Sequence, residues 1–104
     1  GYDHCWCLPG RNGTLQQAAV LLDPDSRRML TIHTTQPGIQ VYTGNWLDGS
    51  GPGKNGKLYK NRQAVALECQ NFPDSPNQPD YPSCVLRPGE LYRQKIIYAF
   101  GVKN

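Results

Sequence analysis

Short alternating runs of apolar and polar residues, separated by strong turn formers, predict strands rather than helices along this chain. Residues 3–8 are a short apolar run stopped by Pro9-Gly10. Residues 15–22 form a second run. Asp23-Pro24-Asp25-Ser26 then predicts a turn, because Pro fixes φ and Asp hydrogen-bonds its own backbone. Over residues 28–35, Leu30 and Ile32 fall on one face and Met29, Thr31 and His33 on the other, so this run pairs with 15–22 as a hairpin.

After the break at Pro37-Gly38 a strand resumes, with Ile39 and Val41 on one face and Gln40 and Tyr42 on the other. Residues 48–57, rich in Gly, Lys and Asn, predict a mobile surface loop. Ala64-Val65-Ala66-Leu67-Glu68-Cys69 predicts a strand with a carboxylate near its end. Residues 71–84 carry Pro73, Pro76, Pro79 and Pro82, with Pro88 just beyond, and are expected to be irregular and non-helical. Over residues 91–102, Tyr92, Ile96, Tyr98, Phe100 and Val102 share a face opposite Arg93 and Lys95, as in a half-buried strand of a large antiparallel sheet. The class is therefore all-β. Six or so strands with open edges make a poor isolated domain, which suggests partner strands upstream.

Composition changes this picture little. Gly and Pro make up 20 of 104 residues, consistent with many turns. The net charge of +3 comes from scattered basic residues with no basic stripe, so no nucleic-acid partner is indicated. No apolar run nears the roughly 20 residues of a membrane span, and no signal-peptide pattern opens the chain. A soluble protein without a membrane partner is expected. The first residue is Gly rather than Met, which suggests processing or a start inside a longer protein.

Cys5, Cys7, Cys69 and Cys84 allow two disulfides in three connectivities. Alternation puts Cys5 and Cys7 on one face of an apolar strand, and the reading preferred here is reduced, buried structural thiols. A zinc site is disfavoured. Cys-x-Cys is not the usual ligand spacing, and His4 falls on the opposite face. Asn12-Gly13-Thr14 is a glycosylation sequon that matters only in a secreted chain.

The Gly51-to-Lys57 stretch has the G-x-x-x-x-G-K spacing of a phosphate loop. Leu58 stands where Ser or Thr must bind Mg²⁺, so a hairpin loop is the better reading. Polar residues at strand ends are more informative. Asp3 opens a strand, Gln40 alternates with Ile39 and Val41, and Glu68 follows four apolar residues and is expected to be partly buried. Spacing and composition alone support an all-β domain with a polar pocket and no more.

Three stretches carry a resemblance. Gly1-Tyr-Asp-His-Cys-Trp-Cys-Leu8 resembles the Asp-His-Asn-Phe segment of the aldose 1-epimerase (galactose mutarotase) family. Thr34-Thr-Gln-Pro-Gly-Ile-Gln-Val-Tyr-Thr-Gly-Asn45 resembles its T-x-Q-P-G-x-Q-x-Y-T-G-N segment, and Leu67-Glu-Cys-Gln-Asn-Phe-Pro-Asp-Ser-Pro-Asn77 its L-E-T-Q-x-F-P-D-S-P-N. Pro82-Ser-Cys-Val-Leu-Arg-Pro-Gly-Glu90 continues in register.

The resemblance implies an antiparallel β-sandwich, of which residues 1–104 form one segment in the C-terminal part. It implies an isomerase that interconverts the α and β anomers of galactose and glucose, cytoplasmic and monomeric, using neither metal nor cofactor. Glu68 matches the general base, while Asp3 and Gln40 match substrate-binding positions. The family's general-acid His lies upstream, and neither His4 nor His33 matches it. A non-catalytic sugar-binding module of the same fold is the alternative. Tyr42 and Trp46 are candidates for a sugar-facing apolar surface. Cys5 stands where Asn is common, Cys69 where Thr is common, and Gln78 where His is often found.

Overall fold

The computed structural model describes residues 1–104. Six strands form two antiparallel sheets. They are β1 (Asp3–Cys7), β2 (Gln16–Leu22), β3 (Arg28–Thr34), β4 (Gly38–Tyr42), β5 (Ala66–Gln70) and β6 (Ile96–Val102). One sheet has the order β1-β4-β5 and the other β2-β3-β6. The architecture is all-β, as the alternation predicts, and its two antiparallel sheets fit the sandwich that the resemblance implies.

The β2–β3 hairpin forms as predicted. Asp23 accepts hydrogen bonds from the hydroxyl and backbone N–H of Ser26 and from the Asp25 N–H, and Arg27 turns the chain with φ 59°. This is the local bonding that favours Asp in turns. The register shifts between Gln17 and Ala19, leaving Ala18 as an extra residue.

Strand parity decides what faces the sheet interface. Ile32, on the central strand β3, is opposed by Ala19 on one side and Tyr98 on the other. Ile39, on the central strand β4, is opposed by Trp6 and Cys69. Ile32 is fully buried and Ile39 is 2% exposed, and they are the only two apolar members of a core of 8 buried residues. The Tyr98 hydroxyl donates to the Leu67 carbonyl, 3.3 Å away, which ties β6 to β5 across the interface.

Two expectations need correction. The last strand begins at Ile96, not near residue 91. Its partner β3 ends at Thr34, so upstream of Lys95 no ladder remains to join. Tyr92 instead accepts a hydrogen bond from Gln36 Nε2 at 3.0 Å. The proline-rich segment contains one 3₁₀ turn, Ser75–Asn77. Pro76 is compatible with it because the first residues of a helical turn need no N–H partner. The loop after Leu47 lies at the surface and closes as a hairpin, as expected. Pro52 bridges Leu58, the Gly53 N–H reaches the Lys57 carbonyl at 2.8 Å, and Lys54–Gly56 form a 3₁₀ turn. No helix follows the lysine as a phosphate loop requires.

With so few buried apolar residues, each is a large part of the core. Ile32→Ala should destabilise the protein by about 2–5 kcal/mol, the usual cost of the transfer and cavity contributions together. The urea unfolding midpoint measures it, and an unchanged midpoint would show that Ile32 is not a core anchor.

Candidate active face

The three polar residues singled out from the sequence fall on one face of the β1-β4-β5 sheet. In an antiparallel pair, directly opposed residues point to the same side, with Cβ atoms about 4.5–5.5 Å apart. Cys5, Gln40 and Glu68 are mutually opposed and form one row across the three strands. Asp3, Tyr42 and Ala66 form the row on one side of it, and Cys7, Gly38 and Gln70 the row on the other. His4, Trp6, Ile39, Val41, Leu67 and Cys69 occupy the opposite face, by the same parity.

The rows are bonded to each other. Gln40 donates from Nε2 to Asp3 Oδ1 at 2.9 Å, fixing the amide between the two carboxylate-bearing strands. Gln40 Oε1 is buried and has no partner, so an acceptor with an unmet hydrogen bond sits on this face. The Tyr42 hydroxyl accepts the Trp46 backbone N–H at 2.9 Å, which holds the start of the following loop over Tyr42. The Trp46 side chain is 79% exposed.

Gly38 explains the far row. A Cβ there would meet the Phe72 ring at 2.9 Å and Cys5 Sγ at 3.0 Å, so the glycine makes room for both. Cys5, Cys7, Phe72, Pro73 and Tyr81 line a pocket of about 270 Å³ beside the Asp3–Gln40–Glu68 group. Gln70, Phe72 and Tyr81 were not singled out from the sequence. The signal available for Gln70 was its alternation with Glu68. Phe72 and Tyr81 arrive from an irregular segment that has no period to read.

Glu68 is exposed, not partly buried as expected. It lies on an edge strand, and its apolar neighbours Leu67 and Cys69 take the inward face. Cys7 is likewise exposed, because its side of β1 has only the pocket beside it. All four cysteines are free thiols. Burial raises the Cys69 thiol above its ordinary pKa, partly offset by a hydrogen bond with Thr34 on β3. Burial also raises Cys5, with the nearby charge of Cys7 adding to it and bonds from Gln70 and Ile39 opposing it.

The sequence profile of the family described as "Aldose 1-epimerase" matches residues 1–99. The chain belongs to the aldose 1-epimerase family. It is 45% identical to the galactose mutarotases of Mus musculus and Homo sapiens over 98% of its length, and 39% identical to the aldose 1-epimerase of Escherichia coli (strain K12) over 96%. It spans about 30% of the length of these curated relatives. No helix of this epimerase-family chain is long and apolar enough to cross a membrane.

The Phe72–Asn77 segment that walls the pocket is held by Asp74, a left-handed residue at φ 63°. Its carboxylate accepts from Asn77 Nδ2 at 2.6 Å and Gln78 Nε2 at 2.8 Å, and these bonds lower its pKa. A lowered folded-state pKa means stabilisation that is present above the unfolded value, about 3.9, and lost as pH falls through the folded value. Asp74→Asn should therefore lower the urea midpoint at pH 6, with the difference from the parent protein shrinking below about pH 4. A difference independent of pH would mean that the carboxylate charge is not what the two amides stabilise.

Proposed function

We propose that the face carrying Asp3, Gln40 and Glu68 belongs to a site that interconverts the α and β anomers of free hexoses, galactose and glucose among them, with Glu68 as general base. The observation that supports this best is the shared face. Gln40 is hydrogen-bonded to Asp3 at 2.9 Å and stands directly opposite Glu68 on the neighbouring strand. This is also the set of positions that match the family's base and sugar contacts.

In this reading Glu68 removes the proton from the anomeric hydroxyl. A general acid protonates the ring oxygen. The family draws that acid from a His that no residue here matches. The C1–O5 bond opens to the free aldehyde, C1 turns its other face, and closure reverses both proton transfers. Exposure suits Glu68 to this role, because a base must reach a proton on a substrate that enters from solvent. Asp3 accepts hydrogen bonds from sugar hydroxyls, and the unpaired Gln40 Oε1 accepts another. Tyr42, on the same face, and Trp46 beside it offer aromatic surface to the sugar ring. No electrons change hands, so the reaction as written calls for no redox cofactor. The free sugar is the partner in this proposal, and the cytoplasm the expected compartment.

A polarimetric assay of galactose mutarotation, run on full-length protein that carries the general-acid His and on its Glu68→Gln variant, tests the assignment. Loss of one positioned proton-transfer group should slow interconversion about 10²–10⁴-fold, with the circular dichroism spectrum unchanged. An undiminished rate would remove Glu68 from the mechanism. Galactose binding by calorimetry without turnover in the parent protein would instead favour a sugar-binding module.

A further inference from the structure

The two thiols of β1 form a group of their own. Cys5 and Cys7 are two positions apart on one strand, so both leave the same face. Both border the pocket of about 270 Å³ whose other walls are Phe72, Pro73 and Tyr81. The Phe72 and Tyr81 rings meet edge-on, with centroids 5.3 Å apart. Cys7 is exposed and Cys5 partly covered, so the pair has a solvent-facing entrance.

The two thiols are free rather than bonded to each other, and strand geometry puts their spacing near the upper limit for a disulfide. Alternate Cα atoms of a strand stand about 6.6 Å apart, at the far end of the roughly 4.4–6.8 Å that a disulfide accepts. An ion held linearly by two sulfurs relaxes this demand. Two metal–thiolate bonds of about 2.3 Å separate the sulfurs by roughly 4.6 Å.

Ligand number narrows the ion. No group of three or more His, Cys, Asp or Glu side chains in the molecule is arranged to hold a metal. That arrangement does not suit zinc, which wants four ligands, or hard cations, which want oxygen. Two thiolates alone suit a soft ion of low coordination number, and thiolates select Cu(I).

We propose that Cys5 and Cys7 are the two ligands of a Cu(I) site. Binding releases the two thiol protons and forms two copper–sulfur bonds. Copper stays monovalent, so no oxidant or reductant takes part. Cys5 belongs to the same row as Gln40 and Glu68, but the site does not depend on any sugar chemistry there.

The test is an anaerobic titration of the protein with Cu(I) in competition with bicinchoninate. The protein should withdraw one equivalent of Cu(I) per chain. Cys5→Ser and Cys7→Ser should each weaken binding at least tenfold, Cys7→Met should retain most of it through its soft thioether, and Cys84→Ser should leave it unchanged. Because Cys7 is exposed, its Ser variant loses a ligand without disturbing the core, and circular dichroism checks the fold of each variant. Failure of the parent protein to compete with the chelator would overturn the proposal. So would binding that survives in the Cys5→Ser, Cys7→Ser double variant, or that is lost in Cys84→Ser.

Discussion

The buried passage from β3 to β4 holds this structure together. Residues 34 and 36–39 are buried, Thr35 is partly so, and Thr34 has no exposed area. A segment that changes sheets inside the sandwich brings backbone polar groups with it, and each needs a partner. The structure supplies them from several directions. The Thr35 N–H donates to the Lys95 carbonyl and the Gln36 N–H to the Thr34 hydroxyl. The Thr35 carbonyl accepts from Gly13, and the Pro37 carbonyl from Leu8. One short link thus gathers the segment after β1, the segment before β2 and the start of β6.

That passage also sets the parity of β4. Once Gly38 is fixed against Phe72 and Cys5, Ile39 must point into the interface and Gln40 must point out. Register does the rest. Pairing with β1 and β5 brings Cys5 and Glu68 beside Gln40, and Asp3 within hydrogen-bond reach. A slip of one residue in either pairing would carry a carboxylate to the opposite face. The same buried residues therefore serve the core and aim the polar group.

The six strands were legible because their two-residue period is a local property. Leu30 and Ile32 against Met29 and Thr31, or Ile39 against Gln40, can be read without knowing what covers them. The failures have equally specific causes. Residues 91–95 alternate well enough, but β3 stops at Thr34 and the chain turns towards β4, so only the Thr35–Lys95 backbone bond continues the pairing. Glu68 and Cys7 follow or interrupt apolar residues, yet burial depends on how fully a face is covered, and both remain exposed. The 3₁₀ turn at Ser75–Asn77 is invisible to an argument that treats proline only as a helix breaker.

The motifs around Asp3, Gln40 and Glu68 were recognisable as strings, and alternation told which neighbours each would share a face with on its own strand. Chain pattern alone determined the all-β class, the hairpin at Asp23–Ser26 and the pairing of Cys5 with Cys7 on one side of β1. It could not say which strands would meet. The order β1-β4-β5, the row of Cys5, Gln40 and Glu68, and the arrival of Phe72 and Tyr81 beside the two thiols were decided only by tertiary structure. Side-chain direction is fixed by each residue's own backbone, whereas adjacency between segments depends on register and on a buried crossover whose bonds come from distant parts of the chain.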